Sequence, residues 1–92
     1  MDTLRITRAD LNDRNEYAAS VSIEYDGKVE IEESLGTVIV RGRLAAGASI
    51  TAKAGSGIEA GSGIKAGSGI EAGEGIEAGS GIEAGEGIEA GW

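Results

Sequence analysis

The C-terminal part of the chain, residues 55–92, repeats the six-residue unit Gly-Ser-Gly-Ile-Glu-Ala almost without variation. An isoleucine returns at every sixth position, with glycine before it and a charged residue after it: Ile58, Ile64, Ile70, Ile76, Ile82 and Ile88. Only the second position, which is Ser or Glu before the final Trp92, and a single Lys65 in place of glutamate depart from the unit. Because every unit must adopt the same local structure, a period this strict constrains the fold far more than the activity.

Within each unit, isoleucine and alanine lie two residues apart with the charged residue between them. Successive side chains of a β-strand point to opposite faces, so Ile58 and Ala60 would face one way and Glu59 the other. The Gly-Ser-Gly segment would then turn the chain. A single strand and corner cannot bury an apolar face, whereas a coiled chain would stack its units about 4.8 Å apart around a shared interior. We therefore predict an all-β fold, a parallel β-helix (β-solenoid).

The charges that would stack on neighbouring rungs predict the number of units per coil. With two units, or 12 residues, per coil, four glutamate pairs would be neighbours: Glu59/Glu71, Glu71/Glu83, Glu77/Glu89 and Glu74/Glu86. With three units, or 18 residues, the like pairs fall to Glu59/Glu77 and Glu71/Glu89, and Lys65 faces Glu83. Like charges directly opposite each other on neighbouring strands are destabilising. We therefore predict a three-sided coil of about 18 residues, with the two-sided coil as the alternative; the sequence does not decide the handedness.

The six-residue period begins less regularly upstream of the perfect repeat. Val38, Leu44 and Ile50 are six residues apart, but Ile50 and Ile58 are eight apart. The two extra residues predict a bulge or a widened corner around Lys53 and Ala54. We accordingly place the solenoid in residues 36–92 and an N-terminal β capping segment in residues 1–35.

The capping segment contains two short runs in which apolar and polar residues alternate, residues 21–25 and 29–32, with Asp26-Gly27 between them. Asp-Gly between two alternating runs is a hairpin signal. A three-residue loop would pair Tyr25 with Val29 and Ile23 with Ile31, which gives one apolar face. The sequence therefore predicts an antiparallel β-hairpin here.

The composition excludes several classes of function and partner. The net charge is −8, with −6 in residues 55–92 alone, which argues against nucleic acid and anionic membrane surfaces as partners. The chain has no Cys and no His, so thiolate metal sites, disulfides and histidine-based catalysis are excluded. It has no run of about 18 apolar residues, and its first residues lack the features of a signal peptide. We therefore expect a cytoplasmic protein with no cofactor, no metal and no small-molecule substrate.

Three motifs have a structural explanation that we favour over a catalytic or binding role. Gly55-Ser56-Gly57-Ile58-Glu59-Ala60 fits the permissive dinucleotide pattern G-x-G-x-x-A, but the pattern recurs in every unit and its surroundings are acidic. The serines of the repeat, Ser56, Ser62, Ser68 and Ser80, have no histidine to activate them. The outward glutamates lack calcium-loop spacing, so they predict a solvated surface.

The strict hexads resemble those of the hexapeptide-repeat parallel β-helix proteins over roughly residues 36–91. That class includes acyltransferases, filament-forming scaffolds of the bactofilin type and ice-binding proteins. The acyltransferase activity is not carried over, because the resemblance implies a catalytic His that this chain lacks, and the outward Glu and Lys disfavour ice binding. The filament-forming scaffolds are the most similar in kind, although so regular a repeat also resembles an idealised or truncated sequence.

We therefore expect a non-enzymatic structural scaffold, with no catalytic, cofactor-binding or metal-binding residues. A solenoid exposes an unpaired strand edge at each end unless a cap covers it. We predict that the C-terminal rung meets another copy of itself, end to end, and forms a homo-oligomer through Ile82, Ile88, Ala90 and Trp92. The alternative is a binding module that presents a regular acidic face to cations or to a basic partner.

Overall fold

The computed structural model describes residues 3–91, and this part of the chain is almost entirely β-structure. Apart from one short 3-10 helix at Arg8–Asp10, the elements are strands. The strands are β1 (Thr3–Ile6), β2 (Ile23–Tyr25), β3 (Lys28–Ile31), β4 (Gly36–Val40), β5 (Leu44–Ala46), β6 (Ile50–Ala52), β7 (Ser56–Ala60), β8 (Gly63–Ala66), β9 (Ile70–Ala72), β10 (Ile76–Ala78), β11 (Gly81–Ala84) and β12 (Ile88–Ala90).

The strands stack into three parallel sheets, which form the three sides of a solenoid. Sheet 1 has the order β1-β3-β6-β9-β12, sheet 2 the order β4-β7-β10, and sheet 3 the order β2-β5-β8-β11. Every strand pair in these sheets is parallel, and from β2 onward the chain visits sheets 3, 1 and 2 in strict rotation. The predicted three-sided β-solenoid is confirmed, and the two-sided alternative is wrong.

The length of one coil is set by the register between neighbouring strands. In the regular repeat Ile76 pairs with Ile58, eighteen positions away, and Ile82 pairs with Ile64 at the same separation. Upstream the coils are longer: Ile50 pairs with Ile70, twenty positions away, and Val29 pairs with Ile50, twenty-one away. The predicted 18-residue coil therefore holds for the perfect repeat, and the average over the solenoid is about 20.

From the second coil onward, the extra residues of the longer coils all lie at the corner that leads from sheet 1 to sheet 2. The step across this corner is nine residues from Val29 to Val38 and eight from Ile50 to Ile58, and it is six from Ile70 to Ile76. In the second of these steps the chain turns at Ala54 and Gly55, where Gly55 has φ +80°. The sequence left a bulge or a widened corner open at this place, and the structure shows the widened corner.

The interior contains the inward-facing residues of all three sheets. Isoleucine, valine and leucine form most of it, and the alanine two positions after each repeat isoleucine lies beside them: Ile58, Ala60, Ile64, Ala66, Ile70 and Ala72 are all at most 5% exposed. The intervening charged residues, such as Glu71 and Lys65, face solvent. The alternation of each hexad thus separates the dry interior from the outer surface, because successive strand residues point to opposite faces.

The predicted β-hairpin in the capping segment is wrong. β2 pairs with β5 in sheet 3, and β3 pairs with β1 and β6 in sheet 1, in every case in parallel. Asp26-Gly27 forms a solenoid corner instead, where the carbonyl of Gly27 accepts a hydrogen bond from the amide of Ala48 in the next coil at 3.1 Å. Alternating apolar residues are common to hairpin strands and solenoid strands, so the pattern alone did not distinguish them. The three sheets begin with β1, β2 and β4, so strands upstream of residue 36 belong to the same sheets as the repeat.

At the remaining corners, glycine is required by the distance between coils. An ideal Cβ on Gly67 would lie 2.1 Å from the carbonyl oxygen of Gly47 in the preceding coil, and one on Gly85 would lie 2.1 Å from that of Gly67. The second glycine of the later units is less confined, because a Cβ on Gly69 would have no neighbour closer than 3.4 Å; Gly57 is the exception, with the carbonyl oxygen of Gly75 at 2.8 Å. The first glycine of the hexad therefore permits close stacking of the corners.

Within residues 3–91 the structure contains no helix long and apolar enough to cross a membrane. The predicted cytoplasmic location, and the division of the chain into a cap of residues 1–35 and a solenoid of residues 36–92, remain predictions.

Candidate functional site

The last coil of the solenoid consists of β10, β11 and β12, and each of them is the outermost strand of its sheet. β10 pairs with β7, β11 with β8 and β12 with β9. In the part of the chain that the structure describes, all three sheets therefore have an open edge at this end. We call the outer sides of β10, β11 and β12 the terminal edge.

The hydrogen bonds of the inner coils show what the terminal edge presents. In sheets 1 and 2 an isoleucine amide donates to a glycine carbonyl of the next coil, as Ile58 does to Gly75 at 2.9 Å and Ile70 to Gly87 at 3.0 Å. In sheet 3 the amide of Ile23 donates to the carbonyl of Arg43 in the next coil at 2.8 Å. The glycine after an alanine donates to the alanine carbonyl one coil back, as Gly67 does to Ala46 at 3.0 Å. The equivalent groups of the last coil are the amides of Ile76, Ile82 and Ile88 and the carbonyls of Ala78, Ala84 and Ala90. These groups point toward the place of a further coil.

Burial of the repeat isoleucines falls toward the terminal edge, although their sequence surroundings are the same. Ile58, Ile64 and Ile70 are 1–2% exposed, Ile76 and Ile82 are partly buried, and Ile88 is 48% exposed. An inner isoleucine is covered by the coil on each side of it, whereas those of the last coil are covered on one side only. The terminal edge therefore combines unpaired backbone groups with exposed apolar surface, which is the combination that promotes strand addition.

The structure brings together three of the residues that the sequence predicts for self-association. Ile88 and Ala90 lie on β12, and Ile82 lies on the adjacent side of the same coil, on β11. Ala90 and Ile88 are exposed, and Ile82 is partly buried. The fourth predicted residue, Trp92, lies outside the described residues.

The last coil is strongly acidic. Residues 73–91 contain five glutamates and no basic residue: Glu74, Glu77, Glu83, Glu86 and Glu89. The side chains of Glu77, Glu83 and Glu89 occupy the outward position of β10, β11 and β12, one on each side of the solenoid. Any molecule that joins the terminal edge must therefore meet three carboxylates.

The outward residues that stack on one another below the terminal edge are the pairs that the three-sided coil predicts. Glu77 pairs with Glu59, Glu89 pairs with Glu71, and Glu83 pairs with Lys65. At the opposite end of sheet 1 the column begins with Arg5, whose Nε donates to Oε1 of Glu30 at 2.9 Å. Lys53 adds a longer contact to the same carboxylate at 3.9 Å. Sheet 1 thus has a cationic first strand and an acidic last strand.

Within residues 3–91 no group of three or more His, Cys, Asp or Glu side chains is arranged to hold a metal ion. A groove on the outer surface of sheet 1 is lined by Lys53, Glu71 and Glu89 among others and is open to solvent. These groups lie on a broad charged face and do not converge on an enclosed space.

Sequence reasoning missed two residues with specific contacts. Ser56 is completely buried, and its hydroxyl donates to the carbonyl of Glu32 at 2.5 Å and accepts from the amide of Leu35 at 3.0 Å. Its position directly after the two-residue insertion was the available signal, because there its hydroxyl meets the turn between Glu32 and Leu35 in the preceding coil. The second is Arg5, whose outward position in the alternating run of β1 places it at the first edge of sheet 1.

No protein-family model matches this chain, and no match to it was found among the curated proteins or the solved structures compared with it. The structure supports the resemblance to the parallel β-helix class at the level of architecture, as stacked parallel strands in a β-solenoid. Kinship with hexapeptide-repeat proteins or with bactofilin-type scaffolds remains a hypothesis.

Proposed function

We propose that this protein is a non-enzymatic structural scaffold that self-associates through the terminal edge. The observation that carries the proposal is the state of the last coil, in which β10, β11 and β12 each present an open edge. A stacked parallel solenoid is compatible with such a role. Backbone groups of a strand edge pair readily with a further strand, and this mode of recognition needs no specialised side chain.

The burial gradient supports association as a source of stability. Ile88 is 48% exposed, while the equivalent Ile70 one coil earlier is 2% exposed. Covering an isoleucine side chain completely is worth about 1.5–3 kcal/mol, so a further coil on the terminal edge would gain a useful part of this for each of its three isoleucines. The exposed apolar surface and the unpaired amides lie on the same strands. A partner strand that bonds to the amides therefore also covers the apolar surface.

The proposal includes the absence of catalytic activity. Its support is the lack of His and Cys in the sequence and the structural role of Ser56, the one buried serine within residues 3–91, whose hydroxyl bonds to the backbone. The binding of cations or of a basic partner by the acidic surface is the second candidate, favoured by the five glutamates of the last coil. Salt separates the two, because exposed charge interactions are screened at about 1 M salt while backbone and apolar contacts persist.

The test is sedimentation of the 92-residue protein over a range of concentrations at about 0.1 M and about 1 M salt, with two variants of one residue. Ile88→Pro removes the amide that points away from the inner coils, and proline at such a position is tolerated in an edge strand. We expect it to abolish association while the circular dichroism of the β-solenoid is retained. Ile88→Val keeps the amide and most of the apolar surface, and should associate as the unmodified protein does. A protein that stays monomeric at high concentration in both salts contradicts the proposal.

A further inference from the structure

We propose that copies of this protein join head to tail through sheet 1, with β12 of one copy pairing in parallel with β1 of the next. This inference rests on the proposed self-association and adds its direction and its register. Sheet 1 is the sheet that contains both the first and the last strand, with the order β1-β3-β6-β9-β12. In the described residues the outer sides of β1 and β12 are both open, so the sheet has a free edge at each end.

The backbone of β1 presents the groups that β12 needs. Between neighbouring coils of sheet 1, the backbone groups of the inward residues of one strand bond to those of outward positions in the next coil. The amide of Ile50 donates to the carbonyl of Gly69, and the amide of Gly73 donates to the carbonyl of Ala52. On β1 the carbonyl of the inward residue Ile6 accepts a hydrogen bond from the amide of Glu32, the residue directly after β3, at 2.9 Å. The amide and carbonyl of the outward Arg5 therefore point away from β3, toward a preceding strand. A copy placed on β12 would continue the ladder of sheet 1 without a change of pattern.

The side chains match in this register as well. Leu4 would lie over Ile88 and Ile6 over Ala90, so the inward residues extend the dry interior. Ile6 is completely buried within its own copy and Leu4 is partly buried, so the partner's half-exposed Ile88 would cover Leu4 further. The outward residues would then be Arg5 beside Glu89.

Charge decides between this arrangement and a joint between two C-terminal ends. In sheet 1 the outward column is Arg5, Glu30, Thr51, Glu71 and Glu89. A head-to-tail joint places Arg5 between Glu89 of the neighbouring copy and its own partner Glu30, so opposite charges alternate across the joint. A joint between two C-terminal ends would bring together two coils that each contain five glutamates and no base. Like charges on neighbouring strands oppose pairing, and opposite charges favour it.

The side chain of Arg5 is available for this contact. It is 63% exposed although its Nε already donates to Glu30. A guanidinium has five N–H donors in a planar fork, so it can bond to carboxylates on both sides. The joint is heterologous, since the two surfaces differ, and a heterologous contact that does not close into a ring produces an open filament.

The experiment is concentration-dependent sedimentation of the unmodified protein and three variants at about 0.1 M salt. Arg5→Glu and Glu89→Arg each place like charges at the joint, and we expect each to raise the concentration needed for association by about fivefold. Arg41→Glu makes the same charge change at an exposed corner in the middle of the solenoid, and should leave association unchanged. An equimolar mixture of Arg5→Glu and Glu89→Arg should restore association, because every joint between unlike copies then pairs opposite charges. Restoration also shows that both variants are folded.

The possible outcomes separate this inference from the proposed function. A mass that grows past the dimer with concentration, and that Arg5→Glu reduces, supports the head-to-tail joint. A mass that stops at the dimer and is unaffected by Arg5→Glu overturns it and indicates a joint between C-terminal ends, with self-association intact. An unmodified protein that remains monomeric overturns the proposed function together with this inference.

Discussion

The corner glycines show how a single hydrogen atom in place of a side chain sets the distance between coils. Among the described glycines, φ is positive at Gly36 and Gly55, so the other corners do not need glycine for its backbone conformation. At Gly67 the limit is space, because a Cβ would lie 2.1 Å from the carbonyl oxygen of Gly47. That oxygen belongs to the backbone of the adjacent coil and cannot rotate away. The positions of the glycines in the sequence therefore reflect the close stacking of the corners as well as the turns of the chain.

A matched pair of alanine substitutions tests this explanation. Gly67→Ala should lower the free energy of unfolding by about 1–3 kcal/mol, the usual cost of inserting a methyl group into filled space. Gly69→Ala makes the same chemical change two residues away, where the nearest atom is at 3.4 Å. It should change stability by less than about 0.5 kcal/mol, as surface substitutions commonly do. Denaturant unfolding measures both values, and equal losses would show that the corner is not limited by the neighbouring coil.

At the scale of elements, the corner between sheets 1 and 2 is where the regular repeat departs from its period. In the second and third coils this corner is held by Ser56, whose hydroxyl joins the carbonyl of Glu32 to the amide of Leu35. Backbone bonds from Ser34 to Ala54 at 2.9 Å and from Gly36 to Gly55 at 3.0 Å stack one widened turn on the other. The extra residues of the longer coils are thus packed into a defined structure.

Ser56→Ala is expected to destabilise the protein by about 1–3 kcal/mol, because it leaves the buried amide of Leu35 without an acceptor. Ser62→Ala is the control, since Ser62 has the same place in its hexad but is exposed. We expect that variant to unfold at the same denaturant concentration as the unmodified protein. If the two alanine variants were equally stable, water would have to replace the serine hydroxyl in the corner, and a crystal structure of the Ser56→Ala variant would reveal it.

The elements differ in how far the sequence could predict them. Strands β7 to β12 follow from the hexad, because the alternation of Ile, Glu and Ala dictates which side chain is inward. The three-sided coil followed from charges such as Lys65 and Glu83, which the structure places opposite each other. The parallel pairing of β2 and β3 did not follow, since alternation around Asp26-Gly27 is equally compatible with a hairpin. The role of Arg5 also escaped prediction, because it depends on which sheet contains both end strands.

At the scale of the whole molecule, the solenoid is polar along its axis. Residues 1–54 have seven basic and nine acidic residues, whereas residues 73–91 have five acidic residues and no basic one. Backbone bonding across any joint would be similar for many strand pairs, so it provides affinity without direction. The asymmetric distribution of charge provides the direction, because it penalises contact between two C-terminal coils. A regular fold can in this way specify one mode of assembly.

Two substitutions that each remove one negative charge from the last coil distinguish the contact at the head-to-tail joint from the effect of overall charge. Glu89→Gln removes the partner of Arg5 at the proposed joint, and should weaken association by about twofold to fivefold even though it lowers the net negative charge. Glu83→Gln changes the net charge equally, but Glu83 lies on β11, outside the pairing of β12 with β1. It should leave association unchanged or strengthen it slightly, since repulsion between copies decreases. Sedimentation at about 0.1 M salt measures the association of both variants. If two C-terminal ends were in contact, both variants would associate more strongly than the unmodified protein. Screening at about 1 M salt should bring the association curves of the two variants together.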